Sequence, residues 1–251
     1  MENPNWTTIK LNPGERVDDL ERCGFKIIQD PKMFCFGIDA VLLSGFAKVR
    51  QGDKVLDLCS GNGIVPILLA AKSQASHIFG IELQKESVDL AQRSVIANGI
   101  AERVRMICGD IKEVENYFVK SAFDVVTCNP PYMIDSHGLK NPDSPKALAR
   151  HELTCNFDDV ARIAADMLKP GGRFFLVHRP FRLVELFETL TKYKLEPKRM
   201  KMVHPFVDHE PNMVLIEAVA GGRSRLAVEA PLIVYEAPGQ YTQEIYDIYG
   251  Y

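Results

Sequence analysis

The stretch Val55-Leu56-Asp57-Leu58-Cys59-Ser60-Gly61-Asn62-Gly63-Ile64 decides the fold. Its first half is an apolar run of the kind that forms a buried strand, and its second half is a turn with two glycines. Ile64, Ile67, Leu68 and Ala71 then recur at i, i+3, i+4 and i+7, which is the apolar face of a helix. Toward the C-terminus the same unit repeats. Residues 77–82 read as a second strand, followed by a helix through Val88, Ala91 and Val95 that Asn98-Gly99 closes. Residues 104–108 and 123–128 read as the third and fourth strands. A helix through Val160, Ile163, Ala164 and Met167 stops at Lys169-Pro170-Gly171-Gly172 and leads to a fifth strand at 173–178. Leu183, Leu186, Phe187 and Leu190 mark another helix, and the apolar segments 199–204 and 212–218 are close enough to form a hairpin. Strand–helix units in this order predict an α/β architecture: a mostly parallel seven-stranded sheet with an antiparallel end strand, helices on both faces, and any ligand at the carboxyl ends of the strands. Residues 51–219 form the expected domain. Residues 1–50 and 220–251 fit the alternation poorly and are expected to be extensions, the first of them capping the ligand pocket.

Composition narrows the function classes. With 251 residues, 46% hydrophobic, 25% charged and a formal net charge of −3, the chain is an ordinary globular protein, and disorder is excluded as its main state. The apolar run 64–71 is interrupted by Pro66 and is far shorter than the roughly 20 residues that span a bilayer. The start Met1-Glu2-Asn3-Pro4-Asn5-Trp6 has no form of a secretory signal, so a cytoplasmic protein without a membrane anchor is expected. The 6 cysteines are scattered without a C-x-x-C pair, and the histidines show no metal-binding spacing, so neither a metal nor a disulfide scaffold is expected. Lys and Arg outnumber acids between Lys140 and Lys201, and the reverse holds beyond. Such a band either faces a polyanion or is a solvated mixed surface.

Gly61 and Gly63 let a backbone turn approach a ligand closely, and the following helix offers unpaired N–H groups. As a dinucleotide G-x-G-x-x-G fingerprint the turn fails, because the third glycine falls on Pro66. Asp57, Glu82 and Asp110 should lie on one carboxyl edge. Three acids there suit a ligand with an ammonium group, a ribose diol and an exocyclic amine, and they repel phosphate. Taken singly, each acid reads equally as a helix cap or loop anchor. On these residues the sequence resembles the class I S-adenosylmethionine-dependent methyltransferases over residues 30–219. The resemblance implies a Rossmann-like class I methyltransferase fold with S-adenosyl-L-methionine as cofactor. It implies a cofactor site made of Asp57, Gly61, Asn62, Gly63, Glu82, Leu83, Asp110, Ile111 and Asn129. The first glycine of that family's usual G-x-G-x-G is Cys59 here.

After the fourth strand comes Asn129-Pro130-Pro131-Tyr132, where two prolines forbid a helix or a central strand. Such a tetrad suits a planar amino nitrogen that must attack an electrophilic methyl. The Asn129 side-chain oxygen and the Pro130 carbonyl can accept its two N–H bonds and stabilise the positive charge that develops there. Tyr132 offers a ring for stacking, and the prolines hold the groups in place beforehand. The plain structural alternative is a proline turn with a half-buried tyrosine.

The tetrad resembles that of amino-group methyltransferases, and within them the chain is most similar to the tRNA adenine-N6 methyltransferases that modify the adenine beside the anticodon of a valine tRNA. The segment Phe34-Cys35-Phe36-Gly37-Ile38-Asp39-Ala40-Val41-Leu42-Leu43 and the ending 231–242 both look like that family. The resemblance places Phe36, Gly37 and Asp39 beside the cofactor, and Asn129, Pro130 and Tyr132 at the reacting adenine. It also implies a tRNA partner whose base is turned out of its stack. Lys140, Lys146, Arg150, Arg179, Phe181, Arg182, Lys198, Arg199 and Lys201 are then the residues expected to face RNA. Guanine-N2 methylation of ribosomal RNA, glutamine-N5 methylation of a protein, DNA adenine methylation and a non-catalytic binding module are the rival readings. An O-methyltransferase would leave the tetrad unexplained.

Overall fold

A computed structural model describes residues 4–130 and 156–250. The chain begins with a hairpin, β1 (Arg16–Asp19) and β2 (Lys26–Gln29), and helix α1 (Ile38–Phe46). Strand–helix units follow: β3 (Lys54–Leu58), α2 (Ile64–Lys72), β4 (His77–Glu82), α3 (Lys85–Ala97), β5 (Val104–Cys108) and β6 (Phe123–Cys128). Beyond the undescribed stretch come α4 (Phe157–Met167), β7 (Leu168–His178), α5 (Leu183–Lys192), β8 (Leu195–His204) and β9 (Met213–Ala220). The chain ends with four short strands, β10 (Ala227–Val228), β11 (Leu232–Ile233), β12 (Tyr235–Ala237) and β13 (Gln240–Tyr241), and helix α6 (Gln243–Tyr249).

The main sheet runs β10-β8-β9-β7-β6-β3-β4-β5, with β11 also paired to β8. Strands β3 to β7 are mutually parallel, so Leu58, Glu82, Cys108, Cys128 and His178 end on one edge. The order reverses between β3 and β6, and a crevice at such a switch point is where open α/β sheets take ligands. The loop after β3 holds the glycine turn, and the loop after β6 begins with Asn129.

Two expectations about the sheet are corrected. It has nine strands rather than seven, because β10 and β11 from the C-terminal extension pair parallel to β8. The antiparallel strand is also not at an end. The β8–β9 hairpin folds back so that β9 fills a one-strand gap between β7 and β8, antiparallel to both.

Side chains alternate across the sheet, and each face has its own core. Val55, Ile78, Val125, Phe175 and Leu215 pack under α1, α2 and α3, with Ile245 of α6 on the same side. Leu56, Leu58, Val126, Phe174 and Ile216 pack under α4 and α5. Asp57, next to Val55 in the period of two, therefore points toward the α1–α2 side. Among the described residues no helix is long and apolar enough to cross a membrane.

The N-terminal hairpin is fastened to α3 by polar contacts. Lys26 N–H donates to Asn98 Oδ1 at 3.0 Å, and Asn98 Nδ2 donates back to the Lys26 carbonyl at 2.7 Å. Ile28 N–H donates to Ser94 Oγ at 2.9 Å. Arg93 pairs with Glu15 at 2.6 Å, and its guanidinium holds that carboxyl down at about 2. Asn98 is only 5% exposed, so truncating it strands buried backbone groups. Asn98→Ala should lower unfolding stability in urea by about 2–3 kcal/mol. A change below about 0.5 kcal/mol would show that the hairpin is held elsewhere.

Candidate active site

The turn after β3 bends back through three left-handed residues, Cys59 (φ 56°), Gly61 (φ 54°) and Gly63 (φ 81°). Gly63 has a second constraint, since an added Cβ would lie 2.8 Å from the Ala91 Cβ. The turn is held by backbone bonds from Ser60 N–H to the Ile81 carbonyl (3.1 Å) and from Gly63 N–H to the Ser60 carbonyl (2.9 Å). Gly63 caps α2 without any side-chain acceptor, which leaves the first-turn N–H groups directed at the crevice.

Asp57 is 1% exposed, and both of its oxygens are used. Oδ1 accepts from Thr127 Oγ1 at 2.5 Å, and Oδ2 accepts from the Ser60 hydroxyl. Burial pushes the carboxyl up to about 7, assisted by the nearby Glu82 charge and opposed by the two hydroxyl bonds. Sequence reasoning missed Ser60 and Thr127 as its partners. The available signal was Thr127 itself, a lone hydroxyl in the otherwise apolar end of strand 123–128.

Glu82 is 7% exposed, accepting from Gly61 N–H (3.0 Å) and Gln84 N–H (2.9 Å). It therefore ties the glycine turn to the end of β4. Asp110 accepts from Lys112 N–H at 2.9 Å and caps the short 3-10 helix Ile111–Asn116. Leu83 is 44% exposed at the edge, whereas Ile111 is buried in the core under the sheet. Asn62 is buried, and its Nδ2 is a donor with no partner among the described residues.

On the other side of the crevice, Asn129 Nδ2 donates to Asp39 Oδ2 at 3.0 Å, and Pro130 is buried. Phe36 N–H donates to Gln29 Oε1 at 3.1 Å, which pins the segment leading into Gly37 and α1. The structure thus places Asp57 and Glu82 at the carboxyl ends of β3 and β4, Gly61, Asn62, Gly63, Asn129 and Pro130 on the loops after β3 and β6, and Phe36, Gly37 and Asp39 at the start of α1. His178, at the end of β7, is buried and neutral. Burial and the charge of Arg182 push it down to about 4, and its Nδ1 accepts from Arg179 N–H at 2.8 Å.

The RNA-facing expectations divide. Arg179, Phe181 and Arg182 follow β7 on the carboxyl edge, and Phe181 is 68% exposed. Arg179 donates to the Asn212 carbonyl at 2.9 Å, and Arg182 pairs with Glu185. Lys198, Arg199 and Lys201 lie along β8, beside the C-terminal extension. Arg199 is about 16 Å short of the carboxyl end of β8 at roughly 3.3 Å per residue. It pairs with Glu217 and with Glu229 (2.6 Å) and lies 4.5 Å over the Phe46 ring. Lys198 donates to the Arg223 carbonyl, and Lys201 pairs with Glu244 of α6 at 2.8 Å. These cations fasten the C-terminal extension. Tyr132, Lys140, Lys146 and Arg150 lie outside the described residues. Among the described residues no group of three or more His, Cys, Asp or Glu could hold a metal ion.

Comparisons with known proteins bear on the family and the fold. A family model described as a methyltransferase domain matches residues 50–218. A tRNA1(Val) (adenine(37)-N6)-methyltransferase of Parabacteroides distasonis is 31% identical over 198 residues, spanning 78% of this chain and 81% of that protein. One of the same name from Porphyromonas gingivalis is 28% identical over 216 residues, spanning 83% and 84%. Among solved structures, one described as a predicted O-methyltransferase from Agrobacterium tumefaciens superposes with a TM-score of 0.69 at 23% identity, covering 84% of this chain and 95% of that one. At that identity the last likeness speaks for the fold alone.

Because Asp57 titrates higher folded than its ordinary 3.8, the folded state keeps a proton that the unfolded state releases between 3.8 and about 7. Stability should therefore fall as pH rises across that window and level off above it. In urea melts across that range, Asp57→Asn should flatten this slope relative to the wild type. An unchanged slope would show that Asp57 does not hold the proton.

Proposed function

The chain belongs to the methyltransferase-domain family, within it to the tRNA1(Val) (adenine(37)-N6)-methyltransferases, and from that membership we propose that it methylates the exocyclic N6 amino group of an adenine in the anticodon loop of a valine tRNA, with S-adenosylmethionine as donor. The observation that carries the reading to the site is the position of Asn129. It follows β6 directly across the switch point from the glycine turn, with its amide already held by Asp39.

When bound, S-adenosylmethionine supplies an electrophilic methyl group on a sulfonium. The residues around the turn fit such a group. Asn62 offers a buried donor that lacks a partner among the described residues, the α2 N-terminus offers open N–H groups for a carboxylate, and the edge acids Glu82 and Asp110 suit hydroxyl and amine donors. Phe36, Gly37, Leu83 and Ile111 are assigned to the same pocket, with residues 1–50 as its cover.

At the reacting end, Asn129 Oδ1 and the Pro130 carbonyl would accept hydrogen bonds from the two amino N–H groups of adenine. These bonds would draw the nitrogen lone pair out of conjugation and stabilise the positive charge that grows as the N–C bond forms and the methyl–sulfur bond breaks, after which the nitrogen loses one proton to water. A strong base is not required before attack. Tyr132 is assigned to stack the base. Arg179, Phe181 and Arg182, together with Lys140, Lys146 and Arg150, are assigned to the RNA backbone and flanking bases.

Transfer of labelled methyl from S-adenosylmethionine to total tRNA of a strain lacking the gene should yield N6-methyladenosine on nucleoside mass analysis. Label in another nucleoside, or only in protein, would refute the substrate. Asn129→Ala should lose roughly 10²-fold or more in turnover while binding cofactor as the wild type does in calorimetry. RNA binding should weaken as salt rises, and binding that is flat with salt would remove the role given to the basic residues.

A further inference from the structure

We infer that Asp39 is a positioning residue for the reaction, fixing which end of the Asn129 amide faces the substrate. The inference rests on the proposed amino-group methylation and adds a residue to it.

Asn129 Nδ2 lies 3.0 Å from Asp39 Oδ2, a contact between residues 90 positions apart in the chain. An ionised carboxylate only accepts hydrogen bonds, so the group of Asn129 turned toward it must be the NH2. The amide oxygen is then on the side turned away from Asp39, where the proposal sets the substrate amine. The opposite orientation would set an NH2 against an amine N–H, donor against donor, and would put two acceptors together at Asp39. The carboxylate also polarises the amide, which makes its oxygen a better acceptor for the charge that develops on the amine.

Asp39 is itself held. Its Oδ1 accepts from Ala40 N–H at 3.0 Å, in the first turn of α1, which leaves Oδ2 for Asn129. Gly37 provides the room, since an added Cβ there would lie 2.8 Å from Asp39 Oδ1. The Phe36-Gly37-Ile38-Asp39 run thus works as a unit: a glycine that admits the carboxylate, a helix start that engages one oxygen, and a second oxygen aimed at Asn129.

Asp39→Asn is the revealing substitution because it preserves shape and inverts polarity. The introduced amide would keep its oxygen on Ala40 N–H and present an NH2 to Asn129, which turns the Asn129 oxygen away from the substrate. The expected result is a drop in turnover of about 10²-fold, with cofactor affinity within about threefold of wild type. Asp39→Ala, which leaves the Asn129 amide free to rotate, should lose less turnover than Asp39→Asn. A merely structural or pocket-lining role predicts the reverse order, since the isosteric change is then the milder one. The double variant D39N/N129D restores one donor facing one acceptor and should regain turnover over D39N. The pair is also read without any reaction. In the enzyme without substrate, the Asn129 side-chain NH2 resonances, identified by their absence in Asn129→Ala, should differ between wild type and Asp39→Asn or, should that variant fail to fold, Asp39→Ala. Unchanged resonances, equal turnover, or a loss confined to cofactor affinity would each overturn the proposal. Shifted resonances in a wild-type enzyme that methylates no tRNA would instead refute the substrate reading and leave the pairing intact.

Discussion

A single buried carboxyl sets the spacing of the whole site. Asp57 is level with Thr127 on one neighbouring strand and with Gly80 on the other, at the centre of the sheet. A carboxyl there is unfavourable unless its oxygens are bonded. Both partners come from the segments to which the proposed function assigns the cofactor and the base: Ser60 belongs to the glycine turn, and Thr127 stands two residues before Asn129. The bonds therefore fix the distance between the cofactor end and the reacting end. Gly80 clears the space, because a Cβ on it would come 2.5 Å from Ser60 Oγ. Burial raises the Asp57 carboxyl to about 7 against the pull of its two hydroxyl bonds, so it takes a proton far more readily than an ordinary aspartate.

The same turn holds a residue other than glycine in a left-handed conformation. Cys59 occupies the first glycine position and still has φ 56°. A non-glycine residue in that region costs about 1–2 kcal/mol. The surrounding bonds over-determine the turn: Ser60 N–H reaches Ile81, Gly61 N–H reaches Glu82, and Gly63 N–H reaches Ser60. At Gly63 the limit is different, since Ala91 leaves no room for a side chain at all. Cys59 packs its side chain against the core under the sheet despite its left-handed backbone, whereas at Gly63 the packed helix leaves no room for one.

The strands of the central sheet are legible in the sequence because their burial on both faces produces uninterrupted apolar runs, and the glycine turn and the Asn129 tetrad stand at their ends. The place of β9 is not legible. A hairpin in the sequence looks the same whether its second strand lies outside the sheet or is inserted between β7 and β8, since that choice depends on which gap the α5 crossover leaves. The two strands β10 and β11 are only two residues each and carry no periodicity. Arg199 and Lys201 read as members of a basic band because sequence shows sign but not pairing. Their partners Glu217, Glu229 and Glu244 come from the acidic region that follows. The charge asymmetry along the chain thus includes the separated halves of one set of ion pairs.

The N-terminal segment fits no strand–helix unit because its task is local support. Buried polar groups run through it in series. Asn98 fastens the backbone of Lys26, Gln29 at the end of β2 is 3% exposed and holds Phe36 N–H while donating to Asp18, and Gly37 then admits the Asp39 carboxylate. Asp39 reaches across to Asn129. The links are directional bonds between mostly part-buried groups, so the Asn129 amide is also tied to α3 through the hairpin and α1, separately from the β3–β6 bond through Asp57. An amide that must present its oxygen rather than its nitrogen needs two such constraints, one to place it and one to orient it, and the fold supplies them from separate stretches of the chain.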